Sequence, residues 1–254
     1  MRKGFRIFNP TDQTWNNRDD INYSSNNPLQ ADVSESAPFE QHEIFKLNIT
    51  GRFEFGQKYI SYPDGRYNIP SIKYPTLYVA YEKGFGSSIK NYNFDQLRAA
   101  VRQEVKLGNK GTFNYNLKGG TFLSGDDIAF PDFQHFNGNQ TRVGNGSYIN
   151  EFLILPYYAL STNRDYFETH LEHDFKGWIL GKLPLINRLN YNLILGAHIL
   201  STENNKPYSE YSVGIDNLGF GKYRLLRLDY VISNFEGNRE GAFIFGLKFL
   251  GILD

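Results

Sequence analysis

Residues 165–175 read DYFETHLEHDF, which places two histidines and three acids between Glu168 and Asp174. His170, Glu172, His173 and Asp174 are the side-chain types that bind a divalent cation. Their spacing argues against one shared ion. On a strand, alternate side chains take opposite faces, so His170 and His173 diverge, and the pattern is not H-E-x-x-H. A helical reading, with Phe167, Leu171 and Phe175 as its stripe, competes. The expectation is no metal ion and no cofactor. His173 is expected near an aromatic girdle or a turn. His198 is expected on the polar face of the next strand, toward the end away from the acids beside His170.

A second set of residues could do hydrolysis. Ser161, Asn163 and His173 are the nearby trio that could act as nucleophile, orienting group and base in a lipase built into a barrel wall. Ser161 and Asn163 stand in STNR (161–164), a turn signal that favours those residues for conformational reasons. No catalytic residue is assigned, and a barrel-wall lipid hydrolase stays as an alternative.

The elements that must position these groups are strands. In DYFETHLEHDF, Phe167, Thr169, Leu171, His173 and Phe175 share one side, while Tyr166, Glu168, His170, Glu172 and Asp174 share the other. The same two-residue period recurs in EIFKLNITGRFEF (43–55), LRAAVRQEVKL (97–107), TFNYNLKGGTF (112–122) and RLNYNLILGAHIL (188–200). It continues in YSEYSVGID (208–216), RLLRLDYVIS (224–233) and GAFIFGLKFLGIL (241–253). Such alternation marks strands with one apolar and one polar face. Turn-rich pieces join them at 108–111, 161–164, 217–222 and 235–241, and longer connections fall at 56–75, 123–149 and 176–187. The count is about ten strands, nearly all sequence neighbours. A short strand near Gly4–Phe8 is also expected, Trp15 reads as a packing residue, and a short helix is conceivable in WILGKLPLINRL.

Composition agrees. The 254 residues include 21 Phe, 18 Tyr and 24 Gly with one Met, a balance that favours strands and tight turns. Twenty-seven basic residues offset 27 acidic ones, so bulk charge draws the chain to no nucleic acid. With no cysteine, disulfides and thiol chemistry are excluded.

Strands of ten to thirteen residues exceed the ~5–6 usual in soluble sandwiches and match the ~9–11 that cross a bilayer at a tilt. The polar rows are heavily charged. The fold expected is therefore all-β, an antiparallel up-and-down transmembrane β-barrel of about ten strands, itself part of a larger barrel if more strands precede it. Residues 1–40 form an irregular N-terminal segment or a remnant of preceding strands, and 41–254 the barrel. In that frame Arg98, Arg102, Lys106, Glu168, His170, Glu172, Asp174, Arg227 and Asp229 form a charged ladder facing the lumen, its acids paired with Arg98, Arg102 or Arg227. Trp178, Leu180, Leu183 and Leu185 are too apolar for an exposed loop and read as an interfacial anchor. FLILP (152–156) is apolar on both faces and is expected to pack on a plug, a partner or lipid.

Beyond pattern, HFNGN (135–139) and FLILPYYALSTNRDYFETHLEHDFKGWILGKLPLINRL (152–189) resemble a family of large Gram-negative outer-membrane β-barrel proteins of unknown function. The matching features are Leu155, Pro156, Tyr157, Tyr158, Ser161 and Thr162, then His170, Glu172, His173, Phe175 and Gly177, then Lys182 to Leu185. GQKYISYPDGRY (56–67) and YPTLYVAYEKGFG (74–86) are similar too. The resemblance spans roughly residues 40–254. It implies that this chain is the C-terminal barrel portion of a longer protein with an N-terminal domain of the carboxypeptidase-regulatory type, and it implies no catalytic residues. More distantly the last strands are similar to the barrel end of outer-membrane assembly and two-partner secretion proteins, whose Arg-Gly loop motif this sequence lacks.

The function expected is a non-enzymatic outer-membrane protein with a polar lumen: a channel, a receptor or an envelope-biogenesis component. Its partners are the lipid bilayer and an N-terminal domain or envelope protein. A soluble β-barrel ligand-binding module is the alternative of a different class.

Overall fold

A computed structural model describes residues 2–4, 42–69, 73–144, 148–220 and 223–247. Trp15, Phe5–Phe8 and nearly all of the expected 1–40 segment lie outside these.

The chain is almost entirely strand. In order come β1 (Arg2–Gly4), β2 (His42–Glu54), β3 (Lys58–Tyr62), β4 (Gly65–Ile69), β5 (Thr76–Phe85), β6 (Phe94–Lys106) and β7 (Thr112–Ser124). They are followed by β8 (Val143–Gly144), β9 (Tyr166–Asp174), β10 (Asn192–Thr202), β11 (Asn205–Phe220), β12 (Tyr223–Phe235) and β13 (Asn238–Leu247). A single helical turn, α1 (Gly177–Leu180), lies between β9 and β10. Eleven strands form one sheet in the order β1-β2-β5-β6-β7-β9-β10-β11-β12-β13-β8, and β3 and β4 form a separate hairpin. Every pairing is antiparallel except β13 with β8. The alternation read in the sequence thus marks strands as expected. It did not single out β5, nor β3–β4, which lies in the 56–75 connection, nor β8.

The sheet is not closed among the described residues. Parity gives a physical reason. Nine long strands, β2, β5, β6, β7 and β9 to β13, alternate in direction, so β2 and β13 run the same way. Those two edges cannot pair antiparallel, and closure of an up-and-down sheet requires a further strand between them. β1, antiparallel to β2 through Arg2↔Ile44, stands where such a strand would begin.

The two faces of this sheet are inverted relative to a soluble domain. Ile49 is 59% exposed, Val213 55% and Phe243 57%. Phe45, Leu97, Phe167, Leu195, Tyr230 and Ile232 are exposed on the same face. Over β9 to β12 the opposite row is buried, with Glu210, His170 and Asp229 fully so. What covers it is the connection between β7 and β9, residues 125–165. Each of the three buried apolar clusters draws on it. Phe136, Phe152 and Leu155 pack with Tyr166, Leu200 and Tyr208. Tyr148, Leu153 and Ile154 pack with Val231 and Ile244. Ile128 packs with Ile44 and Phe94. FLILP is apolar on both sides because it runs through this interior. The segment's own strand, β8, bonds the free edge of β13 at Phe245 and Gly246, which partly covers an edge that would otherwise invite pairing.

Candidate functional site

Register brings the polar residues of the covered face into cross-strand rows. His170 lies directly opposite His198, Glu168 opposite Lys118, and His170 opposite Asn116. In the row on β9, Glu168 Oε1 accepts from Lys118 Nζ at 2.8 Å and meets His170 Nε2 at 2.5 Å. His170 Nδ1 then meets His198 Nδ1 at 2.8 Å. A carboxylate can only accept, so His170 Nε2 carries the proton given to Glu168. With a neutral His170 ring, His198 Nδ1–H is the donor to His170, and His198 keeps a bare Nε2. Phe152 of the inner segment lies against His170, with ring centroids 4.8 Å apart. This corrects the expected place of His198, which is not remote from the acids beside His170 but next to them. Two antiparallel strands of staggered register put residues 28 apart face to face.

The densest charge cluster centres on Arg227. Its Nε and Nη2 donate to Asp229 Oδ2 and Oδ1 at 2.7 and 2.8 Å, and Nη1 donates to Glu172 Oε2 at 2.7 Å. The Tyr148 ring of the inner segment lies 4.2 Å from the guanidinium carbon, a cation–π stack in a site with almost no water. Burial, with Asp229 nearby, pushes the Tyr148 hydroxyl well above its ordinary range. Gly214 makes the cluster possible: a Cβ there would come 2.0 Å from Asp229 Oδ1.

A third group holds the inner segment by its backbone. Glu210 accepts from the amides of Leu153 and Ile154 at 2.6 and 2.9 Å and from the Tyr208 hydroxyl at 2.6 Å. Asn116 donates to Ile149 O at 3.1 Å, Gln96 and Tyr166 both donate to Gln134 Oε1, and Lys46 pairs with Asp132. Polar side chains from β2, β6, β7, β9 and β11 thus bond residues 125–165, and Arg227 of β12 stacks on Tyr148. Their chemistry is that of a clamp, since the bonded groups could not otherwise leave water.

The expected ladder divides between two environments. Glu168, His170, Glu172, Arg227 and Asp229 are buried and joined as described. Asp174 is half-buried at the end of β9, where it accepts from the Lys176 amide. Arg98 pairs with Glu82 at 2.9 Å rather than with the acids of β9. It lines, with Tyr78, Lys118, Gln134, Tyr166 and Glu168, a cavity of about 250 Å³. Arg102 and Lys106 lie on the same face but stay exposed, because the described part of the inner segment does not reach them. Of the three arginines expected to pair with the acids of β9, only Arg227 does so.

The chemical constellations do not assemble. His173 stacks on Phe175 at 4.1 Å and bonds the Lys110 carbonyl, on the face opposite His170 and beside the β6–β7 turn. Ser161, beyond the other end of β9, bonds His135 Nδ1 at 2.9 Å, and Asn163 bonds the carbonyls of Gly125 and Asp126. The trio Ser161, Asn163 and His173 is therefore spread over two ends of a nine-residue strand. Among the described residues no three His, Asp or Glu side chains converge as metal ligands. Trp178 and Leu180 form α1, with Lys182 Nζ 4.7 Å from the Trp178 ring, and Leu183 and Leu185 project outward, Leu185 82% exposed.

Sequence reading missed Glu210, Lys118, Asn116 and Tyr148. Glu210 and Asn116 sit in the alternating rows and were legible as inward-facing. What they bind was not, because their partners are backbone groups of a distant loop.

No curated protein and no solved structure matches this chain. A model of the C-terminal domain of a family of unknown function (DUF5686) matches residues 3–215. With most of its length matched, the chain belongs to that family and carries its C-terminal domain.

Proposed function

We propose that this sheet is the wall of a non-enzymatic outer-membrane β-barrel, and that residues 125–165 form a clamped strap across its lumen. One observation carries the reading: the large apolar side chains look outward, while the ion-paired row of β9 to β12 is sealed inside. A soluble fold would leave that apolar face wet across many strands, at a cost of roughly 25 cal/mol per Å². Hydrocarbon removes that cost. Strand lengths of 9 to 16 residues suit a tilted crossing. A barrel so filled passes no large solute until the strap moves. The reading thus favours a gated or receptor-like envelope component over an open pore.

The absence of native cysteine makes the test direct, because any introduced thiol is unique. Neighbours Ser212 and Val213 face opposite ways on β11. The chain folded in phosphatidylcholine vesicles, carrying an environment-sensitive fluorophore at Val213→Cys or at Ser212→Cys, is expected to report hydrocarbon at the first site only. The same contrast is expected for Phe243→Cys against Ala242→Cys. Water-like emission at both outward sites would end the membrane reading in favour of a soluble module.

A further inference from the structure

The two ends of the sheet differ in charge. Because the long strands alternate in direction, the connections 55–75, 107–111 and 175–191 lie at one end. The connections 86–93, 203–204 and 236–237, with the two ends of 125–165, lie at the other. The first group contains Lys58, Arg66, Lys73, Lys110, Lys176, Lys182 and Arg188 against one acid, Asp64. The second contains Lys90 and Arg164 against five acids: Asp126, Asp127, Asp165, Glu203 and Glu236. A chain of zero net charge is thus strongly polarised along the strand axis.

The basic end is also the one with exposed aromatic and aliphatic projections. The β3–β4 hairpin stands clear of the main sheet, with Tyr59 57%, Tyr62 55% and Tyr67 53% exposed. Arg66 lies 5.0 Å from the Tyr59 ring. Three strands away, the 175–191 connection presents Leu183, Leu185 and Leu189 beside Lys176, Lys182 and Arg188. Apolar and cationic groups side by side are the composition that a headgroup layer takes up, with rings at the boundary and cations at the phosphates. The outer apolar face of the sheet runs directly into this end, so one continuous surface goes from hydrocarbon-like to phosphate-like.

We infer that the basic end is a docking surface for anionic lipid headgroups, and that it sets which leaflet this end occupies. The inference rests on the barrel reading for its orientation, but the binding can be read apart from insertion. The probe is flotation of the full chain with vesicles of phosphatidylcholine alone or with about one third phosphatidylglycerol, at low and high salt. Protease protection of the same samples reports insertion. The expected result is binding to the anionic vesicles on the order of tenfold stronger, falling with salt. The preference should be lost in a Lys176→Gln, Lys182→Gln, Arg188→Gln variant and kept when Lys176 and Lys182 become Arg. Insertion with equal binding to both vesicles would overturn the headgroup inference and leave the barrel intact. Salt-sensitive, variant-sensitive binding without insertion would keep the headgroup surface and remove the barrel. Neither binding nor insertion would remove both.

Discussion

The β9–β12 half of the sheet and the β5–β6 half share one alternation, yet the fates of their charges differ. In the first half Glu168, Glu172, Arg227 and Asp229 are sealed under Tyr148, Phe152 and Leu153. In the second, Arg102, Glu104 and Lys106 point to the same side and remain exposed. Facing is set by the pleat, and burial by whatever packs above it. The inner segment lies over the first half and over only one end of the second, at Phe94 and Gln96, so identical side-chain types should carry very different energies.

Arg227 should show the largest effect. Replacing it with Met leaves Glu172 and Asp229 buried without their counter-charge, an expected loss of about 3–5 kcal/mol. Arg102→Ala, at the open end of the other half, should change stability by no more than about 0.5 kcal/mol. Urea unfolding of the vesicle-folded chain measures both. Adding Glu172→Gln and Asp229→Asn to Arg227→Met should restore part of the loss, since no orphan charge then remains. Equal losses at Arg227 and Arg102 would mean that the two halves are equally wet, and the comparison would collapse.

The clamp at Glu210 comes next. Its carboxylate is the acceptor for two consecutive amides of the inner segment. Glu210→Ala leaves those amides buried and unbonded, with an expected cost of about 2–3 kcal/mol. The signature is local: hydrogen exchange at Leu153 and Ile154 should accelerate far more than exchange on β6 and β7. Uniform acceleration would show that the segment is a part of the wall's fold rather than a strap laid on it.

These contrasts mark what the sequence could and could not yield. The two-residue period was enough to place Glu168, His170, Glu172, Arg227 and Asp229 on one face, because it follows from strand geometry alone. The pairing of Arg98 with Glu82, and of His170 with His198, depends on register between strands, which alternation leaves open. The path of 125–165 was the least legible. It has no period, and its buried polarity is satisfied by Glu210 and Asn116, residues that look like any other inward polar side chain. FLILP was the one warning, an apolar run with no wet face. The β3–β4 hairpin was hidden for the opposite reason: its residues are exposed on both sides, so no apolar row set it apart from a loop.

The smallest effect expected belongs to Glu151 of the inner segment, half-buried beside Arg227 and Glu210. Burial pushes its carboxyl up to about 6, Arg227 opposing and Glu210 reinforcing the rise, and its Oε1 has no hydrogen-bond partner among the described residues. The folded state therefore holds this proton more tightly than the unfolded chain, where the ordinary value is 4.5. Stability carries the full benefit of the protonated group below pH 4.5 and declines as pH rises from there to about 6, then levels. The carboxyl is partly wet, so the decline should be about 1 kcal/mol. Glu151→Gln should remove that slope and raise stability at neutral pH, while leaving the Arg227 and Glu210 effects unchanged. A slope that persists in Glu151→Gln would assign the titration to another carboxyl of the covered half. The boundary between wet and dry would then lie deeper inside the sheet than Glu151.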